Sequence, residues 1–368
     1  MSAPFALSVL DQSPIPEGST GADALHNTID LARHADELGY HRYWVAEHHA
    51  TPGLASASPE VLIGPIAAAT SRIRVGSGGV MLPHYSPLKV AESFSALSGL
   101  FPGRIDLGLG RAPGTDPRTM FALQRDRREP SPDDFPQQLA ELLGYLKDSL
   151  PDSHPFAHLS RTLPGLPERP EVWLLGSSPQ SALWAAEGGL PYSFADFINP
   201  KGAEIADLYR QRFQDTPAEV APRVSVAVWA ICAETEEEAQ RLASSSRMTL
   251  RLLHQGRLIP VPPVEKALRF LESEADSPAA HAVRSRRGII GSPSTVRAGL
   301  EEVARDYGAS EVMVVTITHD HGARRRSYEL IAEAFAGPRE PASAGDTPAS
   351  VTASPSSATA SPSSATAS

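Results

Sequence analysis

The stretch from Ile73 to Asp116 constrains the fold of this chain more than any other segment. It contains two apolar runs with β-branched residues, Ile73–Leu82 and Ile105–Leu109, and a helix-like segment between them, Pro87–Leu97. The two runs are too far apart for a hairpin, whereas parallel strands need a long crossover of this kind. The stretch therefore predicts a parallel strand–helix–strand unit.

The same alternation of strand and helix continues along most of the chain. Eight strands, each followed by at least one helix, predict a closed (β/α)8 TIM barrel with insertions. An open, doubly wound sheet is the alternative. The predicted strands are Phe5–Leu10, Arg42–Ala46, Ile73–Leu82, Ile105–Leu109, Glu171–Leu175, Leu190–Ala195, Arg223–Ala233 and Glu311–Ile317. The predicted helices are Asp23–Leu38, Pro59–Thr70, Pro87–Leu97, Gln180–Glu187, Gly202–Phe213, Glu234–Leu253, Val264–Glu274 and Arg324–Phe335, with one more starting at residues 291–294 and helical parts within 118–150.

Two segments depart from this alternation. Residues 1–336 form the predicted barrel domain, but residues 256–288 within it combine prolines, one short helix and a basic patch of Arg284, Arg286 and Arg287. That segment is either a mobile lid over the site or a plain surface insertion. Residues 337–368 are of low complexity, with ASPSSAT twice in succession, so we expect a disordered tail.

Charge and cysteine content exclude several classes of protein. The formal net charge is −10, which argues against nucleic acid as a partner, because phosphate binding needs a basic surface. Cys232 is the only cysteine, so folding does not depend on disulfides. The N-terminus lacks the pattern of a signal peptide, and no apolar run approaches the roughly 18 residues of a membrane helix. We therefore expect a cytoplasmic protein that does not bind membranes.

Glycines cluster where the third and fourth predicted strands end. Gly78 and Gly79 lie near the end of one strand, and Gly108 and Gly110 near the end of the next. Glycine inside a strand often marks a place where another group approaches the backbone closely. Ligands of parallel α/β folds bind at the carboxyl ends of strands. These glycines therefore predict the floor of a site for a flat or phosphorylated ligand, with a ligand-free barrel bulge as the alternative.

The sequence Glu47-His48-His49 follows the second predicted strand, on the same face of the barrel. An imidazole there could donate, accept or shuttle a proton near neutral pH. Alternatively, the histidines could only bind loop carbonyls. A zinc site is disfavoured, because neither an HExxH helix nor any other spaced ligand set accompanies them.

Arg111 directly follows Gly110 at the end of the fourth predicted strand. Its guanidinium could hold a phosphate or a carbonyl-rich ring through paired donors. A salt bridge to Glu47 or Asp116 is the alternative.

Serines follow the fifth predicted strand. Ser178 fits a helix N-cap, Pro179 fits the first helical position, and Ser177 and Ser181 flank them. Backbone N–H groups, hydroxyls and the helix dipole would then converge on one point and favour an anion. Ordinary helix capping is the alternative. No P-loop, GxSxG elbow or complete Rossmann fingerprint occurs in the sequence.

Four long motifs carry a resemblance to a known family. The chain resembles the luciferase-like flavin-dependent monooxygenases, in the group described as alkanal monooxygenase-like, over nearly all of residues 5–336. The motifs are AEHHATPGLASASPEVLIG (46–64), SRIRVGSGGVMLPHYSPLKVAE (71–92), FPGRIDLGLGRAPGTDP (101–117) and LLGSSPQSALWAAEGGLP (174–191).

The resemblance implies a (β/α)8 barrel that binds FMN, or reduced FMN delivered by a separate flavin reductase. Reduced flavin would react with O2 to give a C4a-peroxyflavin, which oxygenates a small organic substrate. It also implies a homodimer formed through the helices after the second and third strands. The alternatives are an F420-dependent hydride-transfer enzyme, since the family includes such members, and a flavin-binding protein without turnover.

The resemblance also assigns roles to residues. His48 matches the catalytic histidine of the family. Gly78 and Gly79 match a pair joined by a non-proline cis peptide beneath the flavin ring, and Arg111 matches the phosphate-binding arginine. Ser177 stands where true luciferases have a carboxylate, so light emission need not follow. The expected cofactor-binding residues are Gly78, Gly79, Met81, Arg111, Ser177, Ser178 and Ser181, with no metal.

Overall fold

The structure is a computed structural model that describes residues 5–111, 116–123, 134–199, 202–216, 219–274 and 288–336. The tail at residues 337–368 and the basic patch at Arg284, Arg286 and Arg287 lie outside the described residues. Among the described helices, none is both long and apolar enough to cross a membrane.

Strands and helices alternate as the sequence predicts. The strands are β1 (Ala6–Asp11), β2 (Arg42–Val45), β3 (Arg74–Met81), β4 (Ile105–Gly110), β5 (Glu171–Gly176), β6 (Tyr192–Ala195), β7 (Val224–Cys232), β8 (Gly288–Gly291) and β9 (Glu311–Val315). The helices are α1 (Gly21–Leu38), α2 (Pro59–Ala69), α3 (Pro87–Leu100), α4 (Pro117–Leu123), α5 (Phe135–Lys147), α6 (Pro179–Glu187), α7 (Ala203–Arg212), α8 (Glu236–His254), α9 (Val264–Ser273), α10 (Pro293–Tyr307) and α11 (His321–Phe335). Each of the eight predicted strands is present, with ends that differ by one or two residues.

Local signals set the ends of the helices. At the start of α1, the Thr20 hydroxyl accepts a hydrogen bond from the backbone N–H of Asp23 at 3.1 Å. Gly39 ends the same helix with a φ of +82°, a left-handed conformation that favours glycine. Proline occupies the first position of α2, α3, α6 and α10, where its missing N–H costs no helical hydrogen bond.

The sheet closes on itself. All ladders between named strands are parallel, and the order around the sheet is β6-β5-β4-β3-β2-β1-β9-β7, with a further pairing of β6 and β7. Eight strands therefore form a ring, which confirms the (β/α)8 barrel and excludes the open sheet. The carboxyl ends of the strands meet at one rim, where parallel barrels carry their sites.

The sequence analysis missed β8, which pairs only with the carboxyl-terminal half of β7. Trp229–Cys232 pairs with β8, whereas Ser225–Trp229 pairs with β9 and completes the ring. β8 has four residues, GIIG, which are too few to show a strand period between glycines. It lies at the end of the region interpreted as an excursion from the alternation.

An apolar cluster lies inside the barrel and extends from two tryptophans towards the rim at Val315 and Trp229. Trp44 and Trp173 point inward from β2 and β5, and their rings pack edge to face with centroids 5.5 Å apart. The larger apolar core lies outside the ring, between the strands and the helices. The two tryptophans therefore block the barrel above its amino-terminal end.

A buried ionic cluster lies below the tryptophans. The Arg42 guanidinium, 3% exposed, donates to Asp106 at 2.8 Å, to Glu171 at 2.7 Å and to Glu311 at 3.0 Å. Burial disfavours the charged guanidinium, but the three carboxylates outweigh it and raise the pKa of Arg42. One side chain thus joins β2 to β4, β5 and β9.

We expect Arg42→Met to lower the free energy of unfolding by about 3–5 kcal/mol, because it leaves buried carboxylates without their central cation. Urea unfolding near neutral pH measures the change. The control is Lys89→Met, whose exposed ammonium lies 3.9 Å from Glu92 and should change stability by less than about 0.5 kcal/mol. Equal midpoints for the two variants would contradict this role of Arg42.

Candidate active site

A cavity of about 660 Å³ opens at the carboxyl-terminal rim of the barrel, and we call it the inner cavity. Its walls come from the ends of β1 to β7 and β9 and from the start of α6. All eight site residues predicted from the sequence line it: His48, Gly78, Gly79, Met81, Arg111, Ser177, Ser178 and Ser181. The fold therefore brings together groups that are up to 133 positions apart in the chain.

Bare backbone from β3 and β4 forms the floor of the inner cavity. The peptide bond between Gly78 and Gly79 is cis, as the resemblance implied, and the β3–β4 pairing shifts register at this point. A Cβ atom at Gly79 would lie 2.8 Å from the carbonyl oxygen of Gly108. At Gly110 it would lie 3.1 Å from the thioether of Met81. The bulge considered as an alternative is thus present, and it borders a cavity.

Glu47 fixes this floor to the loop after β2, a role that the sequence analysis did not assign. Its carboxylate is fully buried, and it accepts hydrogen bonds from the backbone N–H of Met81 and the hydroxyl of Tyr85, both at 2.9 Å. His49 Nε2 lies 2.7 Å from the same carboxylate. Burial and this carboxylate raise the pKa of Tyr85. Glu47 therefore orients groups on β3 and on the histidine loop together.

His48 stands at the edge of the inner cavity with its ring poorly solvated. Its Nδ1 is buried and has no hydrogen-bond partner within the described residues. Burial, and then the neighbouring His49, lowers the pKa of His48 from its ordinary value of 6.5 to about 4. The ring is therefore neutral near pH 7, and a neutral imidazole can accept a proton as well as donate one.

Groups that could hold an anion lie together in another part of the inner cavity. Ser178 caps α6, where its hydroxyl accepts from the N–H of Ser181 at 3.3 Å, and Ser181 contacts the Tyr192 hydroxyl at 2.9 Å. The Arg111 guanidinium lies 5.5 Å from the ring centroid of Trp184, which belongs to the same helix. Capping and anion binding are compatible here, because the helix dipole and other N–H groups of the first turn remain directed at the cavity.

A larger cavity of about 1060 Å³ adjoins the first, and we call it the outer cavity. The two share the lining residues Gln12, His48, Phe197 and Ile198. Its other walls come from β7, α8, β8 and the segment 256–261. His48 therefore borders two connected spaces, of which only the inner one has glycine backbone as its floor.

The segment after α8, predicted as a lid or a surface insertion, forms one wall of the outer cavity. Its end is held by hydrogen bonds in both directions, from Val261 N–H to the Ile15 carbonyl at 2.9 Å and from Glu17 N–H to the Val261 carbonyl at 2.8 Å. The segment thus forms part of the wall of the outer cavity, and whether it opens stays a prediction. No group of three or more His, Cys, Asp or Glu residues suited to a metal ion occurs in the described ranges.

Because the folded ring of His48 stays neutral down to about pH 4, the unfolded chain binds its proton first as the pH falls. His48 should therefore cost stability progressively below about pH 6.5. Between about pH 7.5 and pH 5, we expect the free energy of unfolding of His48→Gln to fall by about 1–2 kcal/mol less than that of the parent protein. This range allows for solvent screening of a partly exposed ring. Urea unfolding at both pH values tests this, with the exposed His158→Gln as control. The same pH dependence in His48→Gln and in the parent protein would refute it.

Sequence comparisons identify proteins that this chain is similar to. The family model for luciferase-like monooxygenases matches residues 5–311. A luciferase-like monooxygenase of Escherichia coli (strain K12) is 42% identical over 327 residues, covering 89% of this chain and 96% of the relative. An N-acetyl-S-alkylcysteine monooxygenase of Bacillus subtilis (strain 168) is 39% identical over 328 residues, covering 89% and 97%.

Solved structures share the fold. The crystal structure of apo-MsnO8 superposes with a TM-score of 0.81 at 45% identity, covering 90% of this chain and 97% of that one. More distant likeness, which shows the fold alone, extends to two kinds of enzyme. One is the oxygenating constituent of 3,6-diketocamphane monooxygenase from Pseudomonas putida in complex with FMN, with a TM-score of 0.67 at 19% identity, covering 90% and 98%. The other is the coenzyme F420 dependent tetrahydromethanopterin reductase of Methanopyrus kandleri, with a TM-score of 0.58 at 16% identity, covering 91% and 99%.

The family match spans most of the chain, and the relatives are matched over nearly their whole length. The chain therefore belongs to the luciferase-like monooxygenase family and is an oxidoreductase of the monooxygenase type.

Proposed function

We propose that this protein is an FMN-dependent monooxygenase that uses reduced flavin and O2 to oxygenate a small organic substrate. One observation carries the proposal. The inner cavity runs from bare backbone at Gly78 and Gly79 to an anion-binding end at Arg111 and the start of α6, with His48 at its edge. A flat ring with an anionic tail fits a cavity that has bare backbone in one part and anion-binding groups in another.

The residues present suit FMN in particular ways. The backbone around Gly78, Gly79 and Gly110 would hold the ring, since side chains there would clash with the protein itself. Arg111, Ser177, Ser178 and the N–H groups of the first turn of α6 would hold the phosphate. Met81, which lines the cavity beside the floor, would contact the ring.

Bound reduced FMN supplies two electrons to O2, so that one oxygen atom enters the substrate and the other leaves as water. The chain's own residues control protons and water around this chemistry. His48, kept neutral by burial, can take up a proton or return it at the boundary of the two cavities. Apolar walls at Phe197 and Trp229, whose rings stack 5.8 Å apart, exclude water from the shared space.

Two partners belong to the proposal. Reduced FMN would come from a separate flavin reductase, because the inner cavity is assigned to the flavin and the outer cavity to the substrate. A second copy of the chain would cover apolar side chains on α2 and α3, where Val61 is 66% and Leu100 is 71% exposed. Light scattering on the purified protein measures the mass that decides between monomer and dimer.

We expect Arg111→Met to weaken FMN binding by about 10–100-fold, because a charge-assisted contact to phosphate is lost. Quenching of flavin fluorescence measures the affinity. Arg161→Met, at an arginine whose side chain is 72% exposed and far along the chain from the cavity lining, should leave it unchanged. The same titration with coenzyme F420 tests the hydride-transfer alternative, which gains if only the deazaflavin binds at micromolar concentration.

We expect His48→Gln to bind FMN within about threefold of the parent protein but to slow oxygenation by about 100-fold or more, as is usual for loss of a general acid or base. Mixing the protein with reduced FMN and then with aerated buffer follows the flavin–oxygen adduct expected from the resemblance by its absorbance. His158→Gln is the control. Absence of any stabilised adduct, together with no effect of His48→Gln, would rule out the mechanism. Flavin binding without O2 consumption above the rate in free solution would instead favour a non-catalytic flavin protein.

A further inference from the structure

The outer cavity carries positive charge in a wall that is otherwise mostly apolar. Arg247, Arg251 and Arg257 line it, and Asp116 is the only described carboxylate residue that does. The chain as a whole has a net charge of −10. Cationic side chains therefore line this cavity although the protein as a whole is negatively charged.

Arg251 is the most deeply placed of the three. Its side chain is 5% exposed, and one Nη1–H donates to the backbone carbonyl of Glu274 at 3.2 Å. Its buried Nε–H has no acceptor within the part of the chain that the structure describes. A buried guanidinium left with a donor unsatisfied is costly, and an acceptor supplied by a ligand would remove that cost.

Arg247 lies one helical turn before Arg251 on α8, so the two side chains are neighbours on one face of the helix. It donates to the amide oxygen of Gln240 at 2.5 Å, which is a neutral acceptor. Burial lowers the pKa of Arg247, and no described carboxylate opposes this. Arg247 and Arg251 thus both line the outer cavity, and neither forms an ion pair with a described residue.

We propose that the outer cavity binds an organic carboxylate, with the carboxylate held by Arg251 and Arg247 and an apolar body directed along the wall towards His48. The inference deepens the proposed function, on which it rests, by naming the class of substrate. The wall between the two ends is apolar at Trp229 and Leu250, so the body of the ligand would be a hydrocarbon chain. The flavin phosphate is not a competing explanation, because Arg111 and α6 lie on the other cavity.

Octanoate and octanamide test the proposal, since they share a chain length and differ in charge. With FMN-saturated protein, isothermal titration calorimetry should show octanoate binding at least about tenfold tighter. In Arg251→Gln that preference should fall to about twofold or less, and Arg247→Gln should reduce it in part. Arg241→Gln is the matched control, because Arg241 lies on the same helix, pairs with Glu238 and does not line the cavity.

Flavin affinity separates this inference from the proposed function. All three variants should bind FMN as the parent protein does, which also shows that they are folded. If the parent protein binds no FMN, the proposed function fails, and the same two ligands titrated into the flavin-free protein still test the cavity. Equal affinities for octanoate and octanamide in the parent protein, or an undiminished preference in Arg251→Gln, would overturn the inference.

Discussion

The site depends on a lack of side chains inside the barrel. An eight-stranded barrel has an interior just wide enough for side chains to fill, so a cavity must be made by leaving some of them out. Gly78 and Gly79 on β3 and Gly110 on β4 do this on adjacent strands, and all three line the inner cavity. Neighbouring groups also keep these positions bare, because a Cβ atom at Gly78 would lie 2.5 Å from the Leu10 side chain. The same residues that weaken the strands therefore create the volume that the function needs.

Because the carboxyl-terminal half of the barrel contains the cavity, side chains must close the amino-terminal half. Trp44 and Trp173 fill the width of the barrel, and the Arg42 guanidinium lies 4.8 Å from the Trp173 ring, above a layer of carboxylates. This arrangement seals the amino-terminal end and ties four strands together. Any ligand must then enter from the rim, where loops rather than strands supply polar groups. Rigidity below and chemistry above are thus separated along the barrel axis.

The parts of this design that are local in sequence could be predicted. Strand periods, the Ser178 cap and the glycines near the end of β3 are read from neighbouring residues, and the eight site residues lie together because parallel strands end at one rim. The cis peptide followed from the resemblance to a family. Pairings across the chain could not be predicted. The Glu47 carboxylate reaches Tyr85, and β8 exists only because it pairs with the end of β7. The arginines of α8 belong to a helix with acidic and basic residues, which by itself indicates a solvated face.

Two cavities meet at His48, and each would bind a different ligand. In the functional assignment proposed above, each ligand is held by its charge at an end far from the reaction, at Arg111 for the cofactor and at Arg251 for the substrate. Charged anchors of this kind can be strong without disturbing the centre, because each acts on the end of its ligand that does not react. The centre between them contains the neutral imidazole of His48, and the Glu47 carboxylate beside it is engaged by the Met81 N–H and the Tyr85 hydroxyl. A neutral imidazole can accept or donate a proton, so proton transfer there depends on how His48 is positioned against the reacting groups.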